Sequence, residues 1–417
     1  MKLTAVTFGT EGDTRPIAAL CRALKDAGDD VTLLAPKDTL RSAEELDVPH
    51  AALTGDIRGA LLGMAAIVST KTSLNAHAQA LAGIANENAA AWMREALSVT
   101  AGCDALIGAG LAAFAGISVA EKLGIPVIGA GMFPLNPSAE FPSPFLPPRK
   151  TPRWLNRFSH RLVVHMLWRA FRNATNEARA TVLRLPARRK PWTSHPMLYG
   201  ISPSLLPKPA DWPSNAYMCG QWVHPISNWV PPRSLDEFLA AGDAPIYIGF
   251  GSMVGFDRNA LFDSIIAAVN GRRALFYPGW SGTQGLQLPN NFLVIDDTPH
   301  DWLFPRTSLV IHHGGSGTTH SAARSGIPSI VLPFAGDQAF WAERLRILGV
   351  APDCTSVRHI RATSLARAID DAQSTQMRSR AASLGEIMRT EDGLASAVKT
   401  IEVLLRGQAK FVASGGP

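Results

Sequence analysis

From Ser308 to Gln338 the chain changes its hydrophobic period three times, and that order leaves few folds open. A β-branched run, Leu309-Val310-Ile311, ends in His312 and His313, and the turn Gly314-Gly315-Ser316-Gly317 follows. A helix opens at Thr318, and after Gly326-Ile327-Pro328 a second apolar run extends from Ser329 to Leu332. Strand, glycine turn, helix and strand in this order make a parallel βαβ unit, which needs a helical crossover. A glycine turn of this kind lets backbone N–H groups approach a phosphate, and the positive end of the next helix favours the anion. Taken alone, such a turn more often marks a tight bend with no ligand. Here His312 stands at the carboxyl end of a strand, where open α/β sheets place their ligands. One strand later come Asp337 and Gln338, whose oxygens and amide suit sugar hydroxyls.

The same theme recurs along the chain. Leu3 to Phe8 reads as a strand, Arg15 to Ala27 as a helix with Pro16 in its first turn, and Val31 to Leu34 as a second strand. Asp104 to Gly108, Ala113 to Leu123 and Pro126 to Ala130 repeat the pattern, as do Ile246 to Phe250, Leu261 to Asn270 and Ala274 to Tyr277. At 417 residues the chain exceeds what one core usually serves, so two α/β domains are expected. The boundaries expected are 1–205 and 235–390, joined by the Pro- and Trp-rich segment 206–234 and followed by 391–417, which contains a helix over Leu394 to Leu405 and a disordered tail.

Bulk properties narrow the function. Hydrophobic residues at 46% and charged residues at 18% suit a globular enzyme. A net charge of +6 suits an anionic substrate, and no nucleic-acid motif accompanies it. The apolar stretch Ala105 to Phe133 is interrupted by Glu121 and Lys122, and the start lacks a signal peptide's apolar region, so a cytoplasmic location is the expectation. Cys21, Cys103, Cys219 and Cys354 have no metal or disulfide spacing and read as buried thiols.

The segment from Pro299 to Gln338 resembles the donor-binding signature of family-one, UDP-dependent glycosyltransferases, in particular the sterol-glucosyltransferase and antibiotic-glycosyltransferase branch. Phe8-Gly9-Thr10-Glu11-Gly12-Asp13, Tyr199-Gly200-Ile201-Ser202-Pro203, Ala210-Asp211-Trp212-Pro213 and Ile248-Gly249-Phe250-Gly251-Ser252-Met253 extend the resemblance over most of the chain. It implies the GT-B architecture: two Rossmann-like, doubly wound α/β domains facing a central cleft, with the last helix returning to the first domain. It implies a nucleotide-sugar donor such as UDP-glucose, no cofactor, and inverting transfer without a metal. No Asp-x-Asp pattern occurs in the chain.

Position alone makes Asp13 a helix N-cap; the resemblance makes it the general base that takes the acceptor's proton. A helix's positive end should lower the pKa of Asp13 and an apolar cleft should raise it. Glu11 replaces an Arg common in the related pattern. The resemblance gives His312 a phosphate contact and adds Ser252, Gly315, Ser316, Gly317 and Thr318 around the diphosphate. His313 reads equally as contact or loop support. Asp337 and Gln338 would orient the sugar, with Trp280, Thr298 and His300 at the uracil-ribose end. Gln338 fits glucose-type donors and leaves another hexose or a thymidine-linked sugar open.

On the acceptor side stand Thr10, the stretch Met64 to Ala82, and the loop Phe133 to Pro148. Phe133, Phe141 and Phe145 suggest a hydrophobic acceptor: a sterol, polyketide, phenolic or lipid. From Trp154 to Phe171 apolar residues fall at helical spacing, with Arg153, Arg157 and Arg161 on another side. This reads either as peripheral contact with the inner face of a membrane or, as preferred, as a core-facing helix with its arginines in water. A nucleotide-sugar epimerase is the competing function. A dinucleotide oxidoreductase fits less well, since Gly9-Thr10-Glu11-Gly12 lacks the dinucleotide-binding glycine spacing.

Overall fold

The computed structural model describes residues 1–67, 74–225, 229–254, 256–353 and 357–413. Two parallel sheets form. The first contains β1 (Lys2–Val6), β2 (Asp30–Pro36), β3 (His50–Leu53), β4 (Ala105–Gly108), β5 (Val127–Gly131), β6 (Met197–Tyr199) and β7 (Ala216–Met218). The second contains β8 (Ile246–Gly249), β9 (Ala274–Tyr277), β10 (Phe292–Val294), β11 (Leu309–His312) and β12 (Ser329–Val331). The strand orders are β3-β2-β1-β4-β5-β6-β7 and β10-β9-β8-β11-β12. Each order reverses direction beside its first strand, between β1 and β4 and between β8 and β11, and that reversal opens a crevice at the carboxyl edge.

The strands are short and apolar on both faces because helices cover both sides, as in β4 and β8, where every residue is buried. Leu3, Ala5, Leu33 and Ile107 pack on one face of the first sheet, and Val6, Leu34 and Leu106 on the other. The strand β7 lies inside the segment 206–234 and pairs with β6 at Met197↔Ala216, so the first sheet runs past the boundary expected at residue 205. The last helix, Gly393–Ala413, packs on the Glu11–Asp26 helix of the first domain, where Ala397, Ile401 and Leu405 join the core with Leu20 and Leu24. Cys21, Cys103 and Cys219 are buried free thiols. Cys354, residues 68–73 of the acceptor-side stretch and the tail 414–417 lie outside the described residues.

The helix Asn156–Ala178 departs from the expected reading. Its buried face is built from Asn156, Ser159, His160, Trp168, Phe171 and Thr175, while Trp154, Phe158, Leu162, Met166 and Leu167 are exposed. Apolar side chains occupy two sides of this helix, and the core takes only one. Ser159 and His160 are tolerated inside because each is bonded: the Ser143 N–H donates to Ser159 Oγ at 2.8 Å, and His160 Nε2 lies 3.1 Å from the Phe141 carbonyl.

The returning helix allows a direct test of the packing. Ile401 is 0% exposed and Val403 is 64% exposed on the same helix. Ile401→Ala should cost the first domain about 2–4 kcal/mol in urea unfolding, and Val403→Ala should change it by no more than about 0.5 kcal/mol. Equal midpoints for the two variants would contradict the docking of this helix.

Candidate active site

The carboxyl edge of the second sheet is level: His312 pairs with both Gly249 and Val331, and Gly249 also pairs with Tyr277. The helix that follows β11 spans Ser316–Ser325 with Gly315 as its N-cap, two residues earlier than the sequence pattern placed it. Its first intrahelical bond runs from the Thr319 N–H to the Gly315 carbonyl at 3.0 Å. The N–H groups of Ser316, Gly317 and Thr318 precede it and have no intrahelical partner. Gly317 is exposed, with open space where a Cβ would stand.

His312 is fully buried, and its Nδ1 accepts the Gly314 N–H at 3.1 Å. The proton of the neutral ring therefore sits on Nε2, which is buried without a hydrogen-bond partner. Burial, with His313 and His300 nearby, holds the His312 pKa well below its ordinary value, so the ring is uncharged at neutral pH. His313 wedges between two turns: a Cβ on Gly315 would come 2.5 Å from its Nε2, and one on Gly251 would come 3.2 Å from its Cε1. Only glycine fits this approach, and His313 thereby props the two loops, its pKa pushed down to about 4 by burial. Ser252 follows in the turn after β8.

Thr298 is buried, and its hydroxyl donates to the Asp296 carbonyl at 2.9 Å, fixing the turn before His300. His300 stacks on Phe304 with centroids 4.2 Å apart. Trp280 donates its backbone N–H to the Gly251 carbonyl at 3.0 Å. Its ring packs across the cleft against the first domain's core, with the Arg58 guanidinium 5.9 Å from the ring centre. That cross-cleft packing is a role the sequence did not suggest. Beside Arg58, a depression of about 600 Å³ lined by Lys37, Asp38, Gly55, Asp56 and Leu62 opens in the first domain.

Asp337 accepts the Trp341 indole N–H at 2.7 Å through Oδ2. Gln338 is buried, its Oε1 taking the N–H groups of Phe334 at 2.7 Å and Ala335 at 3.0 Å, while its Nε2 lies 3.2 Å from the Met253 sulfur. Its carbonyl is thus committed to the loop, and one of its amide N–H groups is directed at the Met253 sulfur.

In the first domain the helix starts at Glu11 with Thr10 as N-cap, so Asp13 lies within the first turn rather than ahead of it. Asp13 Oδ2 accepts the Thr10 N–H at 2.9 Å, the return arm of a capping box. The carboxyl is half-buried, and its pKa is raised to about 6 by burial first and by the charge of Asp337 next, against the opposing Thr10 hydrogen bond. Asp337 is likewise raised to about 6 by burial. Asp337 thus acts on Asp13 as a like charge from the other side of the cleft. Glu11 is turned away from this pair: it accepts the Ser42 hydroxyl at 2.9 Å and lies 3.9 Å from Arg15, which bridges to Asp297 of the second domain at 2.8 Å.

Of the acceptor-side aromatics, Phe133 meets Phe145 edge-on at 5.1 Å. Phe141 is buried and packs on Phe340 at 5.3 Å, which makes it a junction residue between the domains rather than an open wall. Among the described residues, no three His, Cys, Asp or Glu side chains converge as metal ligands.

Comparison with known proteins bears on the family and the fold. Residues 3–142 match the glycosyltransferase family 28 N-terminal domain, and residues 267–404 match the erythromycin biosynthesis protein CIII-like C-terminal domain. Two sterol 3-beta-glucosyltransferases of Arabidopsis thaliana are 31% and 30% identical over 96% and 95% of this chain, which spans 65% and 67% of their lengths. A sterol 3-beta-glucosyltransferase of Cryptococcus neoformans is 32% identical, and the chain spans 27% of it. Among solved structures, the glycosyltransferase of kitacinnamycin superposes with a TM-score of 0.68 at 18% identity, covering 96% of this chain and 98% of that one. The spinosyn rhamnosyltransferase complexed with spinosyn aglycone gives 0.64 at 21% identity, covering 96% and 100%. The chain belongs to the GT-B glycosyltransferases, in the family that includes the sterol 3-beta-glucosyltransferases.

Proposed function

We propose that this protein transfers a hexose, glucose from UDP-glucose, to a hydroxyl of a hydrophobic small molecule with inversion at the anomeric carbon. The observation that carries the reading is the buried, unpartnered Nε2–H of His312 beside the open first turn of the Ser316–Ser325 helix. Together they offer a neutral donor and aligned N–H groups to a diphosphate. The reaction needs the same groups twice. They hold the donor, and they stabilise the charge that gathers on the β-phosphate oxygen as the bond to the sugar breaks.

Asp13 is the base in this reading. As the acceptor oxygen bonds to the anomeric carbon, its proton passes to the Asp13 carboxylate and UDP departs from the opposite face. A carboxyl with a pKa of about 6 is a stronger base than an ordinary one and is still largely ionised at neutral pH. Asp337, fixed by Trp341, is suited to accept hydrogen bonds from the sugar hydroxyls. Gln338 would contribute only the amide N–H left over from its contact with the Met253 sulfur. Ser252, Thr298 and Trp280 frame the donor end, and Phe133, Phe145 and the depression beside Arg58 frame the acceptor end. The sterol glucosyltransferase relatives favour an acceptor of sterol-like character, and such an acceptor partitions into bilayers. An epimerase would use the donor half alone, and the glycosyltransferase relatives, which match both halves, favour transfer.

Incubation with UDP-glucose and a panel of sterols, phenolics, polyketides and hydroxylated lipids, without added metal, should give one acceptor a hexose mass gain. Interconversion of UDP-sugars with no acceptor modified would refute the proposal. Asp13→Asn should lower kcat by about 10²–10⁴-fold while the UDP dissociation constant, measured by calorimetry, holds.

The pH dependence has a definite sign. Protonation of Asp13 removes the base, so kcat/KM should fall as pH drops through about 6. Asp337 raises that pKa as a like charge, so Asp337→Asn should move the acid limb to lower pH, whatever it does to the maximal rate. A limb that stays in place or moves up would break the electrostatic link between the acids. Gly317→Ala places its methyl in open space. The melting temperature should therefore hold while UDP affinity falls about tenfold, roughly 1.4 kcal/mol; undiminished affinity would remove this turn from the donor site.

A further inference from the structure

We propose that the outer face of the Asn156–Ala178 helix, together with Trp154 just before it, docks the protein on an anionic lipid bilayer. Trp154, Phe158, Leu162 and Met166 recur every four residues and so form one ridge, and they are 81%, 58%, 41% and 59% exposed. The helix is already anchored by its opposite face through Trp168, Phe171 and Thr175, so these side chains are surplus to the core.

The charge that this segment itself carries is of one sign. No Asp or Glu occurs between Glu140 and Glu177, whereas Arg153, Arg157, Arg161, Arg169 and Arg172 all lie there. Asp211 pairs with Arg157 at 2.7 Å; no ion pair among the described residues takes the other four. Apolar side chains flanked by unpaired cations match a surface that is negative at headgroup depth and hydrocarbon below, with Trp154 suited to the boundary. A second copy of the chain fits less well, because a symmetric pairing through this face would set arginine rows against each other. Among the described residues no helix is long and apolar enough to cross a membrane, so this helix lies on the surface.

The docking would also orient the cleft. The loop leading into the helix is tied to the domain junction by Phe141 on Phe340 and by Arg149 to Glu343 at 2.7 Å. The inference rests on this surface alone and not on the reaction proposed above.

Co-sedimentation of the whole chain with phosphatidylcholine–phosphatidylglycerol vesicles, beside pure phosphatidylcholine vesicles, tests it. The chain should sediment with the mixed vesicles, less with the neutral ones, and less as salt rises. The triple variants Arg161→Glu/Arg169→Glu/Arg172→Glu and Trp154→Ser/Phe158→Ser/Met166→Ser should each weaken partitioning about tenfold or more, with melting temperatures unchanged. A wild-type chain that stays in the supernatant, variants that sediment like wild type, or a concentration-dependent dimer abolished by the serine substitutions would each overturn the proposal.

Discussion

The cleft depends on a contact between two glycines. The chain leaves the first domain at Gly220 and returns to it at Gly393, and a Cβ on Gly393 would stand 2.3 Å from the Gln221 carbonyl and 2.5 Å from the Gly220 carbonyl carbon. With no side chain on either, the two crossings lie backbone to backbone. Polar bonds fix the rest of the junction: Glu391 accepts the Ser202 hydroxyl at 2.9 Å, and His320 Nε2 accepts the Ser202 N–H at 3.1 Å. Arg15 and Asp297 close the far side. Helix starts that would otherwise face bulk water, Thr10 to Asp13 in one domain and Gly315 to Thr318 in the other, are thereby kept on a shared cleft. Two positive helix ends at such a cleft favour an anion between them.

The same burial acts in opposite senses on the two kinds of titratable group there. It disfavours charge, so it raises the carboxyls Asp13 and Asp337 to about 6, lowers His300 and His313 to about 4, and holds His312 well below its ordinary value. At neutral pH the cleft therefore holds mostly ionised acids beside neutral imidazoles. That combination separates the tasks: the carboxylates can accept protons, while the imidazole N–H groups can donate hydrogen bonds without repelling the cations of the first domain. The helix-end effect expected at Asp13 is outweighed because the capping bond from Thr10 satisfies only part of what water would supply.

What could be read from the sequence follows the backbone. Strand ends, glycine turns and helix starts are set by local chemistry, and the second domain's βαβ units, His312 at a strand terminus and the turn Gly314 to Gly317 were legible for that reason. Helix boundaries shifted by a few residues, since Glu11 and Ser316 are as compatible with a first helical turn as with the loop before it. Roles that rest on contacts distant in sequence were not legible. Trp280 against Arg58, Phe141 against Phe340 and Glu11 with Ser42 each join residues more than thirty positions apart, and no periodicity encodes such a meeting. Gln338 shows the same limit at short range, because its side chain turns back onto Phe334 and Ala335 rather than outward.

The two domains differ in legibility for a chemical reason. A diphosphate is recognised by backbone N–H groups, which demand glycine, a tight turn and a helix start, so a donor site of the kind proposed leaves a signature in residue types. An apolar acceptor is recognised by area and shape, which many combinations of Phe, Leu and Met satisfy equally. Apolar residues on the Asn156–Ala178 helix carry the same ambiguity, since periodicity reveals a stripe but not whether core, partner or bilayer covers it. Only the placement of Trp168 and Phe171 inside assigns the core face, and only then does the opposite ridge stand out as surface with a purpose of its own.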